Sequence, residues 1–344
     1  MRILFAVVGL LALFVSCACG GDDTPSPESI EREIDHTTNL VKAARELREK
    51  FQNDPHRPTW HFLAPDGVCF PFDPQGCVFW KGKYHLFYAI QVKGKGAWGH
   101  ASSIDLVHWV HHPVPLTVNA GDPETAVFAG GAFIDKNGVP TMIYHGLDIG
   151  TCIATPTDDD LIHWKKSPHN PVIRLPKEGD KDYGRENDRF HPQQHGKMNW
   201  PGGPVFANDS LVDDNGRRIM WAWACESWER DTQRAAGWSG VMTLPRVLSL
   251  AADGTMRINP AKELKALRLN PRSSDAFAVP VGSDLTLEDV SGDSLELSLQ
   301  VDLQQAEEFG VKVRCSPDGS EETVITISKD KSLQVWDMAR ANAW

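Results

Sequence analysis

The residues best placed to do chemistry are acids beside turns, and the foremost is Asp73. It sits in Phe70-Pro71-Phe72-Asp73-Pro74-Gln75-Gly76, directly before the strand pair Cys77–Tyr88. Pro74 removes a backbone donor and biases Asp73 toward extended geometry. Gly76 lets the chain reverse. The expected result is a carboxylate at the rigid entrance of a strand, suited to attack or to carry a proton. Asp, Pro and Gly also build ordinary Asx turns, so on local grounds both readings stand. The other acids of interest are Glu124, Glu186, Asp188, Glu226 and Glu229, for which a solvated loop carboxylate is the plain expectation.

The rest of the chain must position these groups. A formal net charge of −11 with no Lys/Arg block argues against nucleic acid as a partner. Twelve Trp in 344 residues exceed what packing asks, and flat rings also line sugar clefts. Residues 1–19 read as an export signal: Met1-Arg2, an apolar run from Ile3 to Val15, then small residues. Phe14-Val15-Ser16-Cys17 also resembles a lipobox, so the one membrane attachment foreseen is a lipid anchor at Cys17. Residues 20–56 form a Pro/Ser-rich tether and a helix over Ser29–Phe51, stopped by Asn53-Asp54-Pro55. No C-x-x-C pair occurs, which speaks against a zinc or dithiol site. Cys69 and Cys77 flank the opening turn and could pair across it, although isolated buried thiols suit the irregular spacing better.

From Arg57 the pattern is short strands broken by turns. Hairpins are expected at Lys81-Gly82, at Asn137-Gly138 and at Asp214-Asn215-Gly216. The phrase Asp105-Leu106-Val107-His108-Trp109 recurs as Asp160-Leu161-Ile162-His163-Trp164. Four-strand units at this spacing mark the blades of a β-propeller. Between Lys165 and Trp200 the repeat breaks, and three hairpins make about three blades, fewer than the four at which propellers close. Trp238–Leu250 reads as strand and Pro260–Leu267 as a short helix. Beyond Leu285, strands are expected at Leu295–Val301, Val311–Cys315, Thr323–Ile327 and Leu333–Trp336, the start of a β-sandwich.

These segments, in this order, resemble glycoside hydrolase family 32, the invertase, levanase and inulinase group. Arg57-Pro58-Thr59-Trp60-His61-Phe62 is similar to its R-P-x-x-H-F, and Phe72-Asp73-Pro74-Gln75-Gly76 to its N-D-P-N-G. Trp98-Gly99-His100-Ala101, Phe128-Ala129-Gly130-Gly131-Ala132 and Gly216–Ser227 follow. Leu244-Pro245-Arg246 and Lys262–Arg268 then match the approach to the C-terminal sandwich. The resemblance implies an all-β chain: a five-bladed propeller over residues 57–268 and a sandwich over residues 275–344. It implies retaining cleavage of β-fructofuranosides, with fructose-containing saccharides as partners and no cofactor. Asp73 matches the nucleophile; Trp98, Phe128 and Trp223 match positions around the sugar, and Glu226 lies in a motif facing it.

Three departures follow from the comparison. Phe72 and Gln75 stand where the family has Asn, and Ala89 where it often has Gln, changes expected to reshape the site. Neither the R-D-P element nor the E-C element, which carry the stabilising Asp and the acid/base Glu, is found. The segments flanking residues 180–183 resemble the end of blade two and the late part of blade four, so more than one blade is expected to be missing there, and the sandwich to be partial. Retaining hydrolysis needs a second carboxyl about 5 Å from the nucleophile. Hence a non-catalytic carbohydrate-binding or decayed protein is the alternative.

Overall fold

β1 (Pro74–Trp80) opens a four-stranded antiparallel sheet that continues through β2 (Lys83–Val92), β3 (Lys95–Ser103) and β4 (Val110–Leu116). The β1–β2 turn is the expected Lys81-Gly82, with φ of 47° and 79°. Positive φ at both central residues matches the right-handed twist of the flanking strands. The second sheet repeats the plan with β5 (Val127–Ile134), β6 (Pro140–Gly146), β7 (Gly150–Pro156) and β8 (Trp164–Lys166), and β9 (Ile173–Arg174) also pairs with β7. The third joins β10 (Val205–Val212), β11 (Arg218–Ala224), β13 (Arg246–Leu250) and β14 (Met256–Pro260), with β12 (Val241–Met242) on β11. The Trp238–Leu250 strand thus forms in two pieces, interrupted at Thr243–Pro245. α1 (Arg230–Ala236) lies between β11 and β12 and ends on Gly237 at φ 80°.

The computed structural model describes Glu46 and residues 49–51, 53–54, 57–64, 72–180, 205–225, 229–287, 290–292, 294–330 and 333–337. Of the expected Ser29–Phe51 helix, Glu46 and residues 49–51 are described, and they are helical. The rest of that helix, the leader and Cys69 lie outside the described residues.

The repeated phrase has a mechanical role. Asp105 Oδ1 accepts the Val107 and His108 amides, which lets Leu106 adopt φ 65° and bury itself. Asp158 does the same for Ile162 and His163, and Leu161 follows at φ 56°, also buried. Each phrase therefore plugs one edge of its sheet with a leucine held by an Asx-type turn.

Side-chain alternation along β1 and β2 splits the core in two. Cys77, Tyr84, Leu86 and Tyr88 pack with Leu211, Ile219, Trp221 and Trp223 of the third sheet. Val78 and Phe87, on the opposite face, pack with Val127, Met142 and Tyr144 of the second. β1, β2 and β3 are thus buried along most of their length, whereas the outer strand β4 is largely exposed. At the strand level β1 packs against both β5 and β10. A buried ion pair reinforces one side: Arg217 binds Asp213 in the β10–β11 turn and donates to Tyr84 Oη at 3.0 Å. The chain before β1 is tied to the third sheet, where Leu63 bridges to Val241 and Met242 N donates to Phe62 O at 2.9 Å.

The molecule divides into Met1–Ala261 and Lys262–Trp344, so residues 262–268, expected with the first domain, belong to the second. Here Lys262–Leu267 is a 3-10 turn, and β15 (Glu308–Val313), β16 (Thr323–Ser328) and β17 (Leu333–Asp337) form a three-stranded antiparallel sheet. The strand expected at Leu295–Val301 is not formed. Its alternating Leu295, Leu297, Leu299 and Val301 are all exposed and pair with no described strand. Alternation makes a strand only where an edge is available to receive it.

Candidate active site

Asp73 is held from several directions at the mouth of β1. Its carbonyl accepts the Ala89 amide at 2.8 Å. Behind it Phe72 is wholly buried, with ring centroids 5.7 Å from Phe62 and 5.1 Å from Tyr88. Ahead of it Gln75 Oε1 accepts the Gly130 amide of β5 at 3.1 Å. Gly76 sits so near β5 that a Cβ there would lie 2.9 Å from Ala132 N. Phe72 and Gln75 are therefore packing and tethering groups.

The Asp73 carboxylate is half-buried, and its Oδ1 has no hydrogen-bond partner. Burial raises its pKa, and no neighbouring charge contributes to that rise. A desolvated, unengaged carboxylate is costly to hold and is what a nucleophile requires.

The aromatic candidates divide. Trp98 on β3 is fully buried, and its indole N–H donates to the Phe128 carbonyl at 3.0 Å. It thus fixes the β5 backbone that presents Phe128. The Phe128 side chain is 47% exposed, the one of the three rings open to a ligand. Trp223 on β11 is buried in the same core as Phe72, with Gly240 pressed on it: a Cβ at Gly240 would fall 2.1 Å from the indole nitrogen. Asp73, Trp98 and Phe128 are thereby joined through Gln75 and β5. Glu226, the candidate acid/base, lies outside the described residues, as do Glu186 and Asp188.

Two carboxyls were misjudged from sequence. Glu124 is buried rather than solvated, and its oxygen accepts from Lys166 Nζ and from Tyr144 Oη. Asp209 on β10 was not singled out at all. It accepts a hydrogen bond from the Cys77 thiol, its Oδ2 is buried without a partner, and burial raises its pKa. Cys77 is a free thiol. The only sequence signal for Asp209 was an acid inside a strand pattern. No group of three or more His, Cys, Asp or Glu able to hold a metal occurs among the described residues.

Two family profiles match the chain. The glycosyl hydrolases family 32 N-terminal domain matches in two overlapping stretches, residues 61–185 and 179–260, and the family 32 C-terminal domain matches residues 263–342. The β-fructofuranosidase insoluble isoenzyme CWINV1 of Arabidopsis thaliana is 24% identical over 358 residues, covering 68% of this chain and 61% of the relative. This chain thus spans less than two thirds of that enzyme. The sucrose-6-phosphate hydrolase of Zymomonas mobilis is 24% identical over 423 residues, covering 88% of this chain and 81% of the relative. That alignment is longer than the whole 344-residue chain. Among solved structures, fructan 1-exohydrolase IIa from Cichorium intybus superposes with a TM-score of 0.64 at 19% identity, covering 83% of this chain and 81% of that one. The fold is accordingly a β-propeller followed by a β-sandwich. With both domain profiles matched in order from His61 onward, the chain belongs to glycoside hydrolase family 32.

Proposed function

We propose that this protein acts on β-fructofuranosidic bonds of sucrose or fructans, with Asp73 as the nucleophile of a retaining mechanism. The observation that carries the reading is the Asp73 carboxylate itself, pinned through its backbone yet unpartnered at Oδ1. Attack on the anomeric carbon would give a fructosyl-enzyme, which water then hydrolyses. Phe128 supplies an exposed ring for the sugar face. The leader over residues 1–19 supports an exported protein, with Cys17 as the site of any lipid anchor.

One observation favours a second reading, a fructoside-binding protein without turnover. Among the described residues no acid is hydrogen-bonded to Asp73 Oδ1; Glu124 is engaged by Lys166, and Asp209 by the Cys77 thiol. The two-part family match, and alignments longer than the chain, support the loss of blade material near residues 180–183. The test is fructose release from sucrose, inulin and levan, with Asp73→Ala as control. Release abolished by Asp73→Ala supports hydrolysis. No release, with 1-kestose still raising the melting temperature, supports binding alone.

A further inference from the structure

A cavity of about 300 Å³ opens on the third sheet, lined by His61, Ala224, Val241, Thr243, Leu244, Arg246, Ile258 and Pro260. None of these residues belongs to the candidate active site. The walls are mostly apolar, with Arg246, Thr243 and His61 as the polar side chains among them. Thr243 Oγ1 accepts both the Ala222 amide at 3.0 Å and Arg246 Nη2 at 3.1 Å, which fixes the guanidinium on the sheet. Among the described residues the guanidinium has no other acceptor, and its Nε is buried and unpaired. Burial lowers its pKa, and among the described residues no carboxylate is hydrogen-bonded to it. His61 Nδ1 is likewise buried without a partner, and burial lowers the His61 pKa, which keeps that ring neutral.

A half-buried guanidinium without an acidic partner costs free energy that a complementary anion would recover. The site presents one positive charge against apolar walls. A monoanion with an apolar body matches both features, whereas a dianion such as phosphate would leave a net negative charge desolvated. The planar fork of Arg246 suits the two oxygens of a carboxylate. The volume is at the low end of ordinary small-molecule sites. We propose that the cavity beside Arg246 is a binding site for a small monocarboxylate with an apolar body, separate from the fructoside site.

Benzoate is the probe, with benzyl alcohol as its uncharged counterpart and inorganic phosphate as the charge-only control, all at constant ionic strength. Calorimetric titration of the full chain should show benzoate binding, with benzyl alcohol and phosphate at least about tenfold weaker, as expected for a lost charged hydrogen bond. In the unaltered protein, benzoate should shift one arginine Nε–H resonance, and Arg246→Lys should remove that resonance. Arg246→Lys keeps the charge but loses the fork, and should weaken benzoate about tenfold. Absence of benzoate binding overturns the proposal, as does equal binding of phosphate. Benzoate affinity unchanged in Arg246→Lys, or no shifted arginine resonance, overturns it too. None of these outcomes depends on fructose release.

Discussion

Mild acid should destabilise this protein through a cluster of histidines inside the first sheet. His85 Nδ1 and His100 Nε2 are 3.0 Å apart, His100 stacks on Phe87 at 4.5 Å, and His112 lies against its other side at 4.5 Å. His85 and His100 are 1% and 0% exposed, and His85 Nε2 and His100 Nδ1 have no partner. Burial, followed by the charges of His112 and Lys83, pushes His85 down to about 4, with Asp160 opposing. Burial, then His85 and His112, pushes His100 down to about 2. Both rings are therefore neutral when folded and take up protons on unfolding. Their contribution is intact well above pH 6.5 and is lost as pH falls from 6.5 toward those lower values. At pH 5 each ring costs about 2 kcal/mol, about 4 kcal/mol together, a large share of a typical stability. The melting temperature should fall by roughly 10 °C between pH 7 and pH 5. Carboxylates titrate mostly below this window, so the slope isolates the histidines. Urea titrations at pH 6.0, 5.5 and 5.0 measure it directly: unfolding should take up about two protons or more in the parent, since burial also lowers His61 and His112, and about one fewer in His100→Phe. A parent value near zero, or a slope that His100→Phe leaves unchanged, refutes the reasoning.

Three further outcomes are expected. Lys166→Met should cost about 3–5 kcal/mol in a urea titration, because it leaves the buried Glu124 without its cation, whereas loss of a surface pair would cost under about 1 kcal/mol. Gln75→Ala should cost about 1–3 kcal/mol by stranding the Gly130 amide, and should also slow any fructose release, since the tether spaces β5 from Asp73; a change in stability with no change in rate would limit it to scaffolding. Asp209 has a raised pKa, so its desolvated charge destabilises the fold above its unfolded value. Asp209→Asn should accordingly be neutral or stabilising at pH 7 and lose that advantage toward pH 4; destabilisation at pH 7 would show that the ionised carboxylate is needed.

Local chemistry made much of the first unit legible. Lys81-Gly82 and Asn137-Gly138 are turn dipeptides with glycine at positive φ, and each Asp-Leu-x-His-Trp phrase carries its own leucine plug, capped by Asp105 in the first and by Asp158, two residues upstream, in the second. What stayed hidden depended on register. His85, His100 and His112 meet because Phe87 pairs with His100 and His100 with His112, pairings that no single strand specifies. Nor does any single strand show that Phe72 faces the core or that Gln75 reaches β5. Glu124 looked solvated because its cation is 42 positions away in the chain. Leu295–Val301 shows the opposite error, a strand pattern with no edge to join.

The strap from Phe62 and Leu63 to Val241 and Met242 bears on biosynthesis. One flank of β1 is covered by β5, which leaves the ribosome soon afterwards. The other waits for β10, and the strap itself waits for Met242. A nascent chain shorter than that holds Phe72 and Trp109 on a half-dressed sheet, in the state where chaperones and wrong partners compete for apolar surface. Closing the clasp is thus the event that converts a string of hairpins into a sealed domain, and it lies near the end of translation of this unit.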